Sequence, residues 1–284
     1  ELRDRAAKGE DVGRSAIAPS RPRGLPARFF FGHSFNPRIG GVDLKMALYA
    51  LGAAGLAWNL LSAIGLRLMM HSGTALPLAC RVYAGMLLWF LFEYMCFEAV
   101  HLYTYDLMCE KLGFKLCWGC LVFYPFFYGV GIWSLAIGAP AHADIMRLQA
   151  AGIVGLFFAG WVLTRGANLQ KYLYKTRGTE AWLCGVTFEV VPTTRLLCTG
   201  FWGLARHINY LGEIVQAVAL ALPGSFVADT TYYQVLPWLY PLYYVMLFIP
   251  RQLDDDGQIK TKYGDSAFAE YSKKVPYRIV PGIW

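Results

Sequence analysis

The placement of charge along the chain constrains its fold more than any single motif. Across residues 112–163 the charged side chains are Lys115, Asp144 and Arg147 alone, whereas residues 1–23 hold ten. Apolar runs of that length, separated by charged connectors, are the pattern of helices that cross a bilayer. Composition points the same way. The 284 residues are 56% hydrophobic, 16% aromatic and 16% charged, where a soluble globular chain carries about a quarter charged residues. This balance excludes a disordered chain and argues against a soluble enzyme. The expected fold class is all-α: a polytopic helical membrane protein.

Six apolar segments follow from the pattern, at residues 46–66, 76–100, 116–137, 148–163, 210–222 and 232–249. The first two are long enough to span at ~1.5 Å per residue. Segment 210–222 is too short for a full span and is expected to be half-buried, and 232–249 is about the minimum. Residues 1–28 read as a charged loop internal to a longer chain, with no apolar core of a signal peptide. Residues 29–166 are expected to form a membrane bundle. Residues 167–284 form a polar C-terminal half with a short membrane hairpin. The stretches 168–196 and 251–284 are too long for turns and should pack as a cytosolic face. The net charge of +7, from 26 basic and 19 acidic residues, suits cytoplasmic loops beside anionic lipid, and no basic stripe of the kind that binds nucleic acid is visible. The seven cysteines are odd in number and lie mostly in apolar runs, where they act as packing residues.

Three polar clusters interrupt this apolar background. Asn168, Lys171 and Lys175 share one face if helical, reading either as a phosphate clamp or as the basic flank of a membrane helix. The stretch Gly200-Phe-Trp202-Gly-Leu-Ala-Arg206-His207-Ile-Asn209-Tyr210-Leu-Gly-Glu213 places a cation, an amide, a phenol and a carboxylate (Arg206, Asn209, Tyr210, Glu213) at i, i+3, i+4 and i+7. Such groups at the mouth of an apolar segment are costly unless paired or used. Trp202 offers a plane for a nicotinamide or adenine ring, or belongs to an interfacial aromatic belt. The third cluster runs from Arg251 through Asp254, Asp255 and Asp256 to Ile259, Lys260, Thr261, Lys262, Tyr263 and then Tyr271, a basic and phenolic wall suited to an anion. Cys117-x-x-Cys120 lacks a second ligand pair, so no metal is expected, and Gly40-Gly41 lies in no strand–helix fingerprint for a dinucleotide.

Taken in order, these clusters resemble the membrane sterol reductase family, whose branches reduce Δ7, Δ14 or C24(28) double bonds with NADPH. The resemblance starts at Phe29-Phe-Phe-Gly-His-Ser-Phe-Asn36-Pro37-Arg38-Ile-Gly-Gly-Val-Asp43-Leu-Lys45 and continues to Trp284. Phe35-Asn-Pro-Arg-Ile-Gly, Cys117-Trp-Gly-Cys-Leu-Val, Gly200-Phe-Trp-Gly and the closing Pro281-Gly-Ile-Trp look like the Δ7 branch, the 7-dehydrocholesterol reductases. Asn209-Tyr-Leu-Gly is equally at home in the Δ14 branch. The expectation is therefore reduction of a C7=C8 bond, with Δ14 reduction as the alternative. Two readings of other classes stand beside it: a non-catalytic sterol-binding scaffold, and a membrane isoprenylcysteine-type methyltransferase, to which Arg206-His-x-x-Tyr210-x-Gly-Glu213 is similar.

The resemblance implies NADPH contacts at Lys171, Lys175, Leu197, Trp202, Asn209, Tyr210, Asp255, the run Ile259, Lys260, Thr261, Lys262 and Tyr263, and Tyr271; Arg206 and Arg251 join them from the polar clusters. It also implies an ionic reduction, in which an acid protonates the alkene in a water-excluded pocket and NADPH supplies hydride. Asp255 and Tyr271 are the candidate acids, followed by Glu98 and Asp106. Further implications are a sterol drawn from the bilayer, contact with membrane lipids and other sterol-pathway enzymes, and a multi-pass location in the endoplasmic reticulum membrane. The chain departs from the family pattern at Lys175 (usually Arg), Ile259 (usually Cys), Cys109 (usually His) and Glu110 (usually Asp), and carries one extra residue between Gly264 and Tyr271.

Overall fold

A computed structural model describes residues 24–104, 107 and 110–284. The expected loop up to residue 23, the candidate acid Asp106 and the departure at Cys109 lie outside the described residues. Helix α1 (Leu25–Phe31) carries Pro26 in its first turn, where a missing N–H costs nothing.

Asp43 starts the first long helix. Its carboxylate accepts the backbone N–H groups of Lys45 (3.0 Å) and Met46 (3.2 Å), capping α2 (Leu44–Met70). Next come α3 (Leu78–Cys96) and the short α4 (Glu98–His101). The stretch Phe114–Ala136 is continuous in direction but not in form: α5 (Phe114–Trp118), a π-turn (Gly119–Phe123), α6 (Tyr124–Phe127) and α7 (Val130–Ala136). Pro125 removes a ladder donor there, and the π-turn lets α2 approach so closely that a Cβ at Gly52 would collide with the Cys120 carbonyl. Helix α8 (Arg147–Arg177) follows, then α9 (Phe201–Leu204), α10 (Ile208–Val227), α11 (Thr231–Val235), α12 (Leu239–Tyr263) and α13 (Asp265–Lys274). Among the described residues, five helical stretches are long and apolar enough to cross a membrane: α2, α3, Phe114–Ala136, Arg147–Glu180 and α10.

Three expectations need correction. Segment 210–222 is not a short fragment but part of the 20-residue α10, which is long and apolar enough to cross a membrane. Pro223, which ends the apolar run in sequence, is buried inside the helix. Burial of Ala217, Ala219, Leu220 and Ala221 carries the helix past it, so packing overrides the local breaker. Segment 232–249 is not one helix. It comprises α11, a 3₁₀ turn at Leu236–Trp238 and the first half of α12, which continues past Pro250 into the polar sequence. Third, the fold is mostly helical rather than all-α. Two-residue antiparallel hairpins pair β1 (Arg38–Ile39) with β2 (Val42–Asp43), β3 (Trp182–Leu183) with β4 (Val186–Thr187), and β5 (Val190–Val191) with β6 (Leu196–Leu197). The β1–β2 turn needs positive φ at both central residues, and Gly40 (56°) and Gly41 (84°) supply it.

The main core lies among α2, α3, α6, α7, α8, α10 and α12, around Leu56, Leu60, Tyr83, Leu87, Ile132, Leu135 and Phe157. Helices α8 and α10 form the most extensive pairing. Gly160 and Gly212 meet at their crossing, where a Cβ on either would strike the other's carbonyl; small residues allow membrane helices this approach. Thr164 then donates to the Asn209 carbonyl (3.1 Å). Several buried charges find partners within the bundle: Arg67 donates to the Ala139 and Pro140 carbonyls, and Glu93 pairs with Arg165.

Candidate functional site

The polar clusters converge where α10 begins and the apolar half of α12 ends. Arg206 and His207 precede α10, so the expected helical face does not include Arg206. The C-terminal tail fixes both residues instead: their backbone N–H groups donate to the Tyr277 carbonyl (2.9 Å) and the Arg278 carbonyl (2.7 Å). The Arg206 guanidinium donates to the carbonyls of Val275 (2.8 Å) and Pro276 (3.1 Å) and pairs with Asp256 at 3.2 Å, with both side chains about 5% exposed. Arg278 reaches the same Asp256 oxygen at 3.3 Å.

One helical step away, Asp255 lies in different surroundings. Tyr210 donates to its Oδ2 at 2.9 Å, and the Tyr210 ring stacks on Phe248 with centroids 4.4 Å apart and planes 4° from parallel. Tyr244 stacks on Phe248 in turn (5.0 Å). The phenol therefore joins the aromatic core of the bundle to a carboxylate at its rim. Burial raises the Asp255 carboxyl above the usual carboxylate range, against the lowering influence of His207, Tyr210, Lys171 and Arg251. For Asp256, burial also pushes upward, but His207 and Arg206 outweigh it and hold this carboxyl below the usual range. Adjacent residues are thus driven in opposite directions.

The first cluster sits on the same rigid helix as a membrane span, since α8 runs through Asn168, Lys171 and Lys175 to Arg177. Asn209 donates to Asn168 at 3.5 Å, and its own Oδ1 is buried without a hydrogen-bond partner. Gln170, 1% exposed, donates to the Thr199 carbonyl (2.9 Å) and accepts from the Phe201 N–H (3.0 Å). That clamp holds the turn at Gly200 (φ 62°) and aims Trp202, whose indole N–H donates to the Ala167 carbonyl (2.8 Å). Leu197 is buried, and Trp202 packs against it. Lys175 lies over the Tyr174 ring and feels the like charges of Lys171 and Lys262.

The remaining positions are more dispersed. Lys260 lies over Phe268 (4.8 Å), Lys262 over Tyr263 (4.9 Å), and Thr261 donates to the Gly257 carbonyl within its own helix. Arg251 pairs with Glu110 at 3.6 Å. Ile259 packs beside Tyr271, which is 4% exposed among Val191, Val275 and Leu196; burial raises its phenol pKa. Glu98 is exposed, at the edge of a groove of about 350 Å³ between α2 and α3. Glu213 lies near enough to Tyr240 and Tyr244 to act on both phenols. Neither Cys117 nor Cys120 takes part in a disulfide, and Cys120 is buried.

Residues 15–284 match the Ergosterol biosynthesis ERG4/ERG24 family. The chain belongs to this family. It is 34% identical over 271 residues to a "Delta(14)-sterol reductase" of Methylotuvimicrobium alcaliphilum, covering 93% of this chain and 60% of that protein. It is 30% identical to the protein of that name in Arabidopsis thaliana (95% and 69%) and 34% identical to that of Dictyostelium discoideum (90% and 54%). The chain thus spans about 60% of the length of the first of these relatives. These similarities overturn the Δ7 assignment. The strings that suggested it, such as Phe35-Asn-Pro-Arg-Ile-Gly and Pro281-Gly-Ile-Trp, lie partly in exposed turns and the tail, where Ile39 is 69% and Ile283 81% exposed. Such positions are weakly constrained by packing and say little about the bond reduced.

Proposed function

We propose that this chain is the sterol- and cofactor-binding part of an NADPH-dependent Δ14-sterol reductase. The family match and the Delta(14)-sterol reductase relatives support the reaction class. The observation that carries the reading is the Tyr210–Asp255 pair, a raised-pKa carboxyl bonded to a phenol that is stacked into the bundle core. A carboxyl whose burial favours the neutral form is the kind of acid an alkene needs. With Tyr210 donating to Oδ2, Oδ1 is the oxygen that carries the transferable proton.

Features of the C-terminal half fit the cofactor. The unpartnered Asn209 Oδ1 suits a carboxamide N–H, the anchored Trp202 suits an aromatic ring, and Lys171, Lys175 and Lys262 suit phosphates. NADPH, when bound, supplies hydride to the protonated sterol. Residues 167–284 form the cofactor-binding half in this reading and residues 29–166 the sterol side, with the lysine face cytosolic in an endoplasmic reticulum membrane. Lys175, a point charge where the family usually has Arg, grips phosphate less specifically.

The test is sterol profiling by mass spectrometry of cells blocked at Δ14 reduction, with and without the full-length protein. Loss of the accumulated Δ14-sterol supports the reading. An unchanged profile from well-expressed protein that binds NADPH would overturn the substrate, and failure to bind NADPH would overturn the enzyme.

A further inference from the structure

His207 lies in the second polar cluster without a role assigned by spacing or resemblance, yet it meets residues of both the second and the third cluster. It is 6% exposed. Its Nδ1 lies 3.7 Å from Asp255 Oδ2 and its Nε2 lies 3.6 Å from Asp256 Oδ1. Its ring stacks on Tyr210 with centroids 5.2 Å apart and planes 7° from parallel. Its backbone is tied to the Arg278 carbonyl at 2.7 Å. The two ring nitrogens thus face two different carboxylates, one held by Tyr210 and the other by Arg206 and Arg278. At these separations the ring stands between the two carboxylates and fills the space that separates them.

We propose that His207 is a positioning residue for the Δ14 reduction: it locks Asp255 in line with Tyr210 by bracing it against Asp256, which the two arginines hold in place. This rests on the functional reading above. Asp256 serves as the fixed anchor and the imidazole as the spacer, so the proton-bearing carboxyl keeps one orientation. The charged or titratable groups facing this assembly are Asp255 and Asp256 from α12, Tyr210 from α10, Arg206 beside His207, and Arg278 from the tail; Lys171 and Arg251 also act electrostatically on Asp255.

The experiment compares full-length wild type with His207→Phe, which keeps a flat ring on Tyr210, and His207→Gln, which restores a donor. NADPH affinity is read by fluorescence, and kcat and KM are measured on a Δ14-sterol. Loss of orientation of this kind costs about 10²-fold in rate. His207→Phe is expected to lose that much in kcat with NADPH affinity and KM little changed, and His207→Gln to recover part of it. Full kcat in His207→Phe overturns the proposal. So does a loss that follows thermal stability and NADPH affinity and that Gln does not relieve. If the wild type fails to reduce the sterol, the functional reading has failed, and an activity-independent measurement decides the positioning. The infrared carboxyl band assigned by its disappearance in Asp255→Asn must shift in His207→Phe; an unshifted band overturns the proposal.

Discussion

Asp255 and Asp256 are neighbours in sequence with opposite electrostatics, so conservative changes at the two should separate function from stability. Asp255→Asn keeps an acceptor for Tyr210 but removes the transferable proton; reduction is expected to be lost with little change in melting temperature. Asp256→Asn leaves Arg206 and Arg278 facing a neutral group in a buried site, which costs on the order of 3 kcal/mol, read as a clear fall in melting temperature in detergent. Equal thermal loss in both variants would sink the division. The pH dependence follows from the same pair. Asp256, held low, contributes stability above the ordinary carboxylate pKa that is lost as pH falls through its depressed value. Asp255, held high, contributes stability below the ordinary value that is lost as pH rises through its raised one. If its proton is transferred, kcat falls on that alkaline side, and Asp255→Asn has no such limb to display. The sequence marked Tyr210 and Asp255 because phenols and carboxylates beside apolar runs are expensive. It gave no role to His207, Gln170 or Arg278. His207 is the N-cap of α10, with φ −134° and ψ 46°, so helical-face counting does not apply to it. Gln170 and Arg278 act through backbone carbonyls and a tail fold that no spacing displays.

The element that positions the site is the α8–α10 crossing, because it brings the Lys171 side of one span against the Tyr210 side of another. A side chain at Gly212 would meet Thr164 Oγ1 and the Gly160 carbonyl, so Gly212→Leu must push the helices apart. Overpacking of this kind costs about 1–3 kcal/mol, and NADPH binding should weaken along with melting temperature. Gly152 lies on the same α8, and a Cβ there would have nothing within 4 Å. Gly152→Ala should leave both quantities unchanged or slightly improved; similar damage from the two changes would remove the crossing from the explanation. The existence of α2, α3, α8 and α10 was legible from apolar run length alone. Their ends were not. α8 outlasts its apolar run by more than three turns because the Asn168–Arg177 sequence stays helical while its buried Gln170 holds a loop. α10 outlasts its own because Pro223 is accommodated by packing. The hairpins β1–β2 and β3–β4 were missed because two-residue strands have no period to detect, although the paired glycines at 40–41 mark the first turn.

At the scale of the whole molecule, a group of lysines in the C-terminal half and the apolar outer surface of the spans offer two different kinds of surface. The lysines at 171, 175 and 262 gather near one another, while outward-facing side chains on the spans, among them Trp58, Phe92 and Leu148, are more than half exposed and apolar. A sterol approaching through lipid and a phosphate-bearing cofactor approaching through water would therefore meet the protein from different media and respond to different forces. Salt screens exposed charges over about 10 Å at 0.1 M ionic strength and about 3 Å at 1 M, but leaves apolar burial largely intact. Raising potassium chloride from low to high concentration should accordingly weaken NADPH binding several-fold while sterol binding, measured by displacement of a fluorescent sterol from the same detergent-solubilised protein, holds steady. Lys171→Ala and Lys175→Ala should each flatten the salt dependence of the NADPH curve without touching the sterol curve. A salt response of equal size in both ligands would mean that one surface serves both, and the division into a lipid-facing sterol side and an aqueous cofactor face would have to be given up.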